Sequence, residues 1–77
     1  MEARSFLVVF PNYYGKGATL EEAVKNARSA GYRERRKVLA DVMALSCEPA
    51  AVQVSAGVMV QAVFPQDAVC LRWQMKL

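Results

Sequence analysis

The chain contains no histidine. The side chain that most often serves as general base near neutral pH is therefore missing, and so is the commonest metal ligand. Its two cysteines, Cys47 and Cys70, stand outside any C-x-x-C spacing. Together with the missing histidine, that excludes a structural zinc centre. Both cysteines have apolar neighbours and read as buried free thiols in a reducing compartment rather than as a disulfide. Long apolar runs are lacking too. The longest, FLVVF at 6–10, has five residues, against roughly 18 for a membrane-spanning helix. MEARSFLVVF carries an acid at position 2 and no small-residue cleavage pattern, so no secretory signal is expected and the expected location is the cytoplasm. There are only seven Asp and Glu residues, and no serine stands in a G-x-S-x-G setting. A non-enzyme without cofactor or metal is expected.

GKGAT at 15–19 resembles a phosphate-binding loop, but Gly17 stands where that motif needs Ser or Thr, and Phe10 where it needs the first glycine. A glycine-permitted turn into a helix accounts for it.

What is present is a short, apolar chain: 77 residues, 55% hydrophobic. The length gives one domain, 1–77. A domain of this size buries only about 60% of its unfolded surface, so its core is thin. The surplus of apolar side chains favours a partner or a second copy. The net charge of +3 is unevenly spread. Residues 25–37 hold Lys25, Arg28, Arg33, Arg35, Arg36 and Lys37 against Glu34 alone.

SFLVVF at 5–10 reads as a strand buried on both faces and stopped by Pro11. NYYGKGA follows as a loop. Thr19 and Glu22 form a capping box opening a helix, whose Leu20, Ala23, Val24, Ala27 and Ala30 make a stripe of mostly small residues suited to lying close on a sheet. Gly31 is its natural C-cap. Val38, Leu39, Val42, Met43 and Leu45 recur at helical spacing and predict a second helical segment, ended by Pro49. From Ala51 the period changes to two. A strand with a bend at 56–57 is expected, then a turn at 65–67 and a strand over 69–77. The last strand should pair with 58–64 as a hairpin, with Trp73 in the core. The fold class is α+β in the order β-α(-α)-β-β: a three-stranded, largely antiparallel sheet with a helical layer on one face. The other face would carry Gln61, Arg72 and Gln74, and a homodimer would extend or cover the sheet.

Two groups of side chains are candidates for contact. Tyr13, Tyr14, Lys16, Arg28, Arg33, Arg35 and Arg36 combine aromatic and guanidinium groups of the kind that anchor protein interfaces. Lys25, Arg28, Arg35, Arg36 and Lys37 would form a phosphate-facing ridge if 20–45 were one helix, making nucleic acid the alternative partner. Solvated surface charge is the third reading of the same residues.

Gly17, Thr19, Glu21, Glu22, Ala23, Asn26 and Ala27 match the segment G-x-T-x-E-E-A-x-x-N-A. In this the chain resembles HicB-type antitoxins and small phage and prophage proteins. The family pattern places a hairpin before that helix, whereas the residues here read as one strand and a loop. The resemblance implies a mobile-element setting and a binding role without catalysis. The expected function is a small phage-type accessory protein that masks a larger host protein or ribonucleoprotein complex, for example a defence system. The alternative is a dimeric nucleic-acid-binding regulator.

Overall fold

The computed structural model describes residues 2–30, 36–55 and 61–77. The expected C-cap at Gly31, the residues Arg33, Glu34 and Arg35, and the bend at 56–57 lie outside them. The fold class is α+β, as expected, with a different order of elements. Among the described residues six strands and one α-helix run β1 (Ser5–Val9), β2 (Tyr14–Gly17), α1 (Leu20–Ala30), β3 (Leu39–Leu45), β4 (Gln53–Ser55), β5 (Gln61–Val63) and β6 (Cys70–Lys76). The main sheet has the order β2-β1-β3-β6, with every neighbouring pair antiparallel, and β4 and β5 pair separately.

Three expectations are corrected. NYYGKGA is not a loop: β1 and β2 form a hairpin in which Val8 faces Gly15 and Phe6 faces Gly17. The second helical segment is instead strand β3. LADVMAL satisfies a helical and a strand pattern equally, because a strand buried on both faces shows no alternation. Its position between β1 and β6 decides the matter, with Ala40, Val42 and Ala44 on one face and Met43 and Leu45 on the other, all buried. Finally, the expected three-stranded sheet with a C-terminal hairpin does not form. Residues 70–76 pair with β3, while β5 folds back on β4.

Each face of the main sheet has its own core. On the helix face, Val8, Phe10, Ala40 and Val42 are buried with Ala23 and Ala27 of α1. On the other, the hairpin face, Leu7, Met43 and Leu45 are buried with Val52, under Val54, Ala62 and Phe64 of the small sheet and its flank. The sheet is thus covered on both faces, not one. Phe10, Leu7, Leu45, Val8, Val42 and Val52 are fully buried, and each contributes about 1.5–3 kcal/mol by leaving water.

The sequence that forms α1 also fixes how closely it sits. Thr19 Oγ1 accepts from the Glu22 backbone N–H at 3.1 Å, the cap that the sequence predicts. The small side chains of Ala23 and Ala27 let the helix descend onto β2. A Cβ placed on Gly15 would lie 2.0 Å from the Ala27 nitrogen and 2.4 Å from the Ala23 oxygen. Only glycine fits there, because the approach is backbone to backbone. Asn26 then donates from Nδ2 to the Lys16 carbonyl at 2.7 Å, occupying an acceptor on the outer side of β2.

Candidate interaction surface

The residues singled out for partner contact do not converge. Tyr13 packs into the helix-side core, its ring 4.9 Å from that of Phe10, while Tyr14 packs into the hairpin-side core. Adjacent residues at the mouth of a strand point to opposite faces, so the pair is split between the two cores. Lys16 donates from Nζ to the Val52 carbonyl at 2.8 Å, tying β2 to the layer over the hairpin face. Arg28 lies over the Phe10 ring, with its Cζ 5.2 Å from the ring centroid, and donates from Nη2 to the carbonyl of Leu77. These four side chains hold the fold together. Arg36 is exposed, and Arg33 and Arg35 lie outside the described residues.

The nucleic-acid ridge needs one helix over 20–45, and residues 39–45 of that range form strand β3. Lys25 and Arg28 remain on α1 three residues apart. Arg36 and Lys37 stand on the segment leading into β3.

The surface that the fold does build lies along β6. A helix is about 10 Å across and strands are about 4.8 Å apart, so one helix covers about two strands. α1 packs on β2 and β1. The β3–β6 half of that face is left to side chains alone. Val38, Met75 and Leu77 close over the core there, and beyond them the odd-numbered residues of the last strand are open. Val69 is 53% exposed, Leu71 54% and Trp73 37%. They stand at i, i+2 and i+4 along an extended chain, hence on one face. Trp73 was expected in the core. Its strand does alternate as the sequence indicates, but the helix that would cover its apolar side sits over the other half of the sheet. The Trp73 indole N–H points to the Met75 sulfur at 3.3 Å.

The polar side of β6 is braced. Asp41 on β3 accepts from Arg72 at 3.2 Å and from Gln74 at 3.0 Å. Between this face and β5 lies an open cleft of about 340 Å³, lined by Met43, Gln61, Ala62, Val63, Phe64 and Arg72. It presents one guanidinium and no carboxylate. Cys70, expected to be buried, is exposed, and Cys47 is half-buried. Partial burial of the Cys70 thiol raises its pKa. The Arg72 guanidinium draws it back down and the neighbouring Cys47 adds to the rise.

Among the described residues no three His, Cys, Asp or Glu side chains gather where they could hold a metal ion. No helix there is long and apolar enough to cross a membrane. The signal that could have revealed the surface is the strand 69–77 itself, with a tryptophan at its centre. What hid it was the assumption that an alternating strand always has its apolar side covered.

Comparison with known proteins returns no match: no family model, no curated protein and no solved structure aligns with the chain.

Proposed function

We propose that the protein is a small non-enzymatic binding module of the phage or mobile-element kind, which acts by masking a surface of a larger host protein or ribonucleoprotein complex, such as a bacterial defence system. The observation that carries this reading is the stripe Val69, Leu71 and Trp73, exposed on the half of the sheet that α1 leaves bare. Contiguous apolar side chains on so small a protein mark an interaction site, and a central tryptophan is the residue type most enriched among energetic anchors. The hairpin β1–β2 ahead of the capped helix is the arrangement that the HicB-like segment implies, and it supports the same setting.

The test is a photo-crosslinking amino acid at position 71, with position 21 on the outer side of α1 as control, in a bacterial lysate. A discrete adduct with a larger protein from position 71, absent from position 21 and lost on Trp73→Ala, is expected. No such adduct overturns the reading. A complex with duplex DNA or RNA that survives about 0.15 M salt with a steep salt slope would replace it with the nucleic-acid regulator.

A further inference from the structure

The two sides of β6 differ in what their backbone does. The Ser46 N–H donates to the Val69 carbonyl and the Leu77 N–H to the Val38 carbonyl, each at 3.0 Å. Odd-numbered residues of the strand therefore turn their backbone groups toward β3. The N–H and C=O groups of Cys70, Arg72, Gln74 and Lys76 point outward, because alternate residues of an antiparallel strand bond to opposite sides. Among the described residues no strand pairs with that outer side. A seven-residue edge with apolar side chains is a template for pairing.

We infer that β6 pairs antiparallel with β6 of a second copy about a two-fold axis at Trp73, joining the two four-stranded sheets into one. Symmetry restricts the register. A two-fold axis perpendicular to the sheet keeps each face on its own side, so residues of the same face must oppose each other. The pairing is therefore centred on a residue, not between two. Charge then selects among the central positions. Centred on Arg72, the guanidinium would oppose its own copy; centred on Gln74, Arg72 would oppose Lys76. Like charges directly opposite are destabilising. Centred on Trp73, Arg72 opposes Gln74, Cys70 opposes Lys76 and Leu71 opposes Met75, with no like-charged pair. Trp73 is also the middle residue of β6, so this register overlaps the whole strand. All four outward-facing residues then exchange N–H···O bonds in both directions with the copy. The two Trp73 residues meet at a non-hydrogen-bonded site, where side chains come closest. Asp41 already holds Arg72 and Gln74 in place on the hairpin face.

The dimer changes what the bare half-face is. In each copy α1 lies over β1 and β2, away from the axis. The Leu71, Trp73 and Met75 stripes of the two copies join into one apolar floor flanked by two helices. The use of that floor to hold a host protein rests on the reading above, whereas the pairing itself does not.

Sedimentation equilibrium of the intact chain tests it. The expected result is a species of twice 8.5 kDa that dissociates on dilution in the micromolar range, as suits an interface at the small end (on the order of 1,000 Å²). Gln74→Lys sets a lysine against Arg72 of the copy, twice by symmetry, and weakens the dimer about tenfold or more. Adding Arg72→Glu turns that contact into an opposite-charge pair and restores association. Circular dichroism confirms that each variant is folded. A wild-type chain that stays monomeric to about 1 mM, a dimer indifferent to Gln74→Lys, or a double variant as weak as the single one overturns the inference. A monomer that still crosslinks to a larger protein from position 71 sinks the dimer and leaves the docking surface standing. A dimer with no such adduct does the reverse.

Discussion

The two edges of the main sheet, strands of four and seven residues, end in opposite conditions. At the β2 edge, two glycines admit a helix at backbone contact, and Asn26 takes up the outward Lys16 carbonyl. At the β6 edge, a longer strand carries large side chains and exposes them on one face. A sheet edge is a hazard unless something occupies it. The one α-helix among the described residues packs over the β2 edge, and the size of a helix leaves the β6 edge uncovered. The closed edge accounts for stability, and the open one is where a partner has room to bind.

Breaking the closed edge gives the largest effect. Gly15→Ala forces a methyl group into the backbone of α1, where neither element has a flexible side chain to move aside. A loss of about 3 kcal/mol or more is expected, enough to unfold most of a marginal domain, and it reads as loss of a cooperative thermal transition. Thr19→Ala removes the helix cap and should cost about 1 kcal/mol. Asn26→Ala frees the Lys16 carbonyl to water and should cost a similar or smaller amount, about 0.5–1.5 kcal/mol. Both are measured by urea unfolding. On the open edge, Leu71→Ser should change stability by about 0.5 kcal/mol or less, because a half-exposed surface site carries little folding energy. Trp73→Ala, on the same face, should abolish crosslinking from position 71. A Leu71→Ser variant as unstable as Gly15→Ala would show that the stripe is core and would erase the contrast between the edges.

The smallest effect is at Cys70. Partial burial holds its thiol above the ordinary range, with Arg72 opposing the rise. Alkylation near pH 8 should be slower than for an unstructured cysteine, and Arg72→Ala should slow it further. The sign for stability follows from the same shift. A thiol harder to ionise when folded favours folding below the ordinary thiol pKa, about 8.5, to no further degree, and loses stability as pH rises past that value. Equal alkylation rates in Arg72→Ala and wild type would remove the assigned role of the guanidinium.

Local signals were legible wherever the physics is local. The Thr19 cap, the small-residue stripe of α1, the strand at 5–9 and the alternation over 70–76 all appear where side-chain chemistry and period place them. The misreadings have one origin. LADVMAL fits both periods, and YGKG carries no β-branched residue to announce a strand, so only their neighbours decide. The surroundings of the candidate contact residues were illegible for a related reason. Composition identifies tyrosine and arginine as interface types but says nothing of Arg28 lying over Phe10 or Lys16 reaching Val52.

By itself the sequence determined that the protein is α+β, that it opens its helix at Thr19, and that it carries no histidine and no C-x-x-C pair. These follow from residue type and from contacts within a few positions along the chain. Only the tertiary structure decided that β3 lies between β1 and β6, that α1 covers one half of the sheet and not the other, and that Trp73 stands at an open edge. Those outcomes depend on which segments, distant in the chain, compete for the same buried face, and a helix wide enough for two strands cannot cover four.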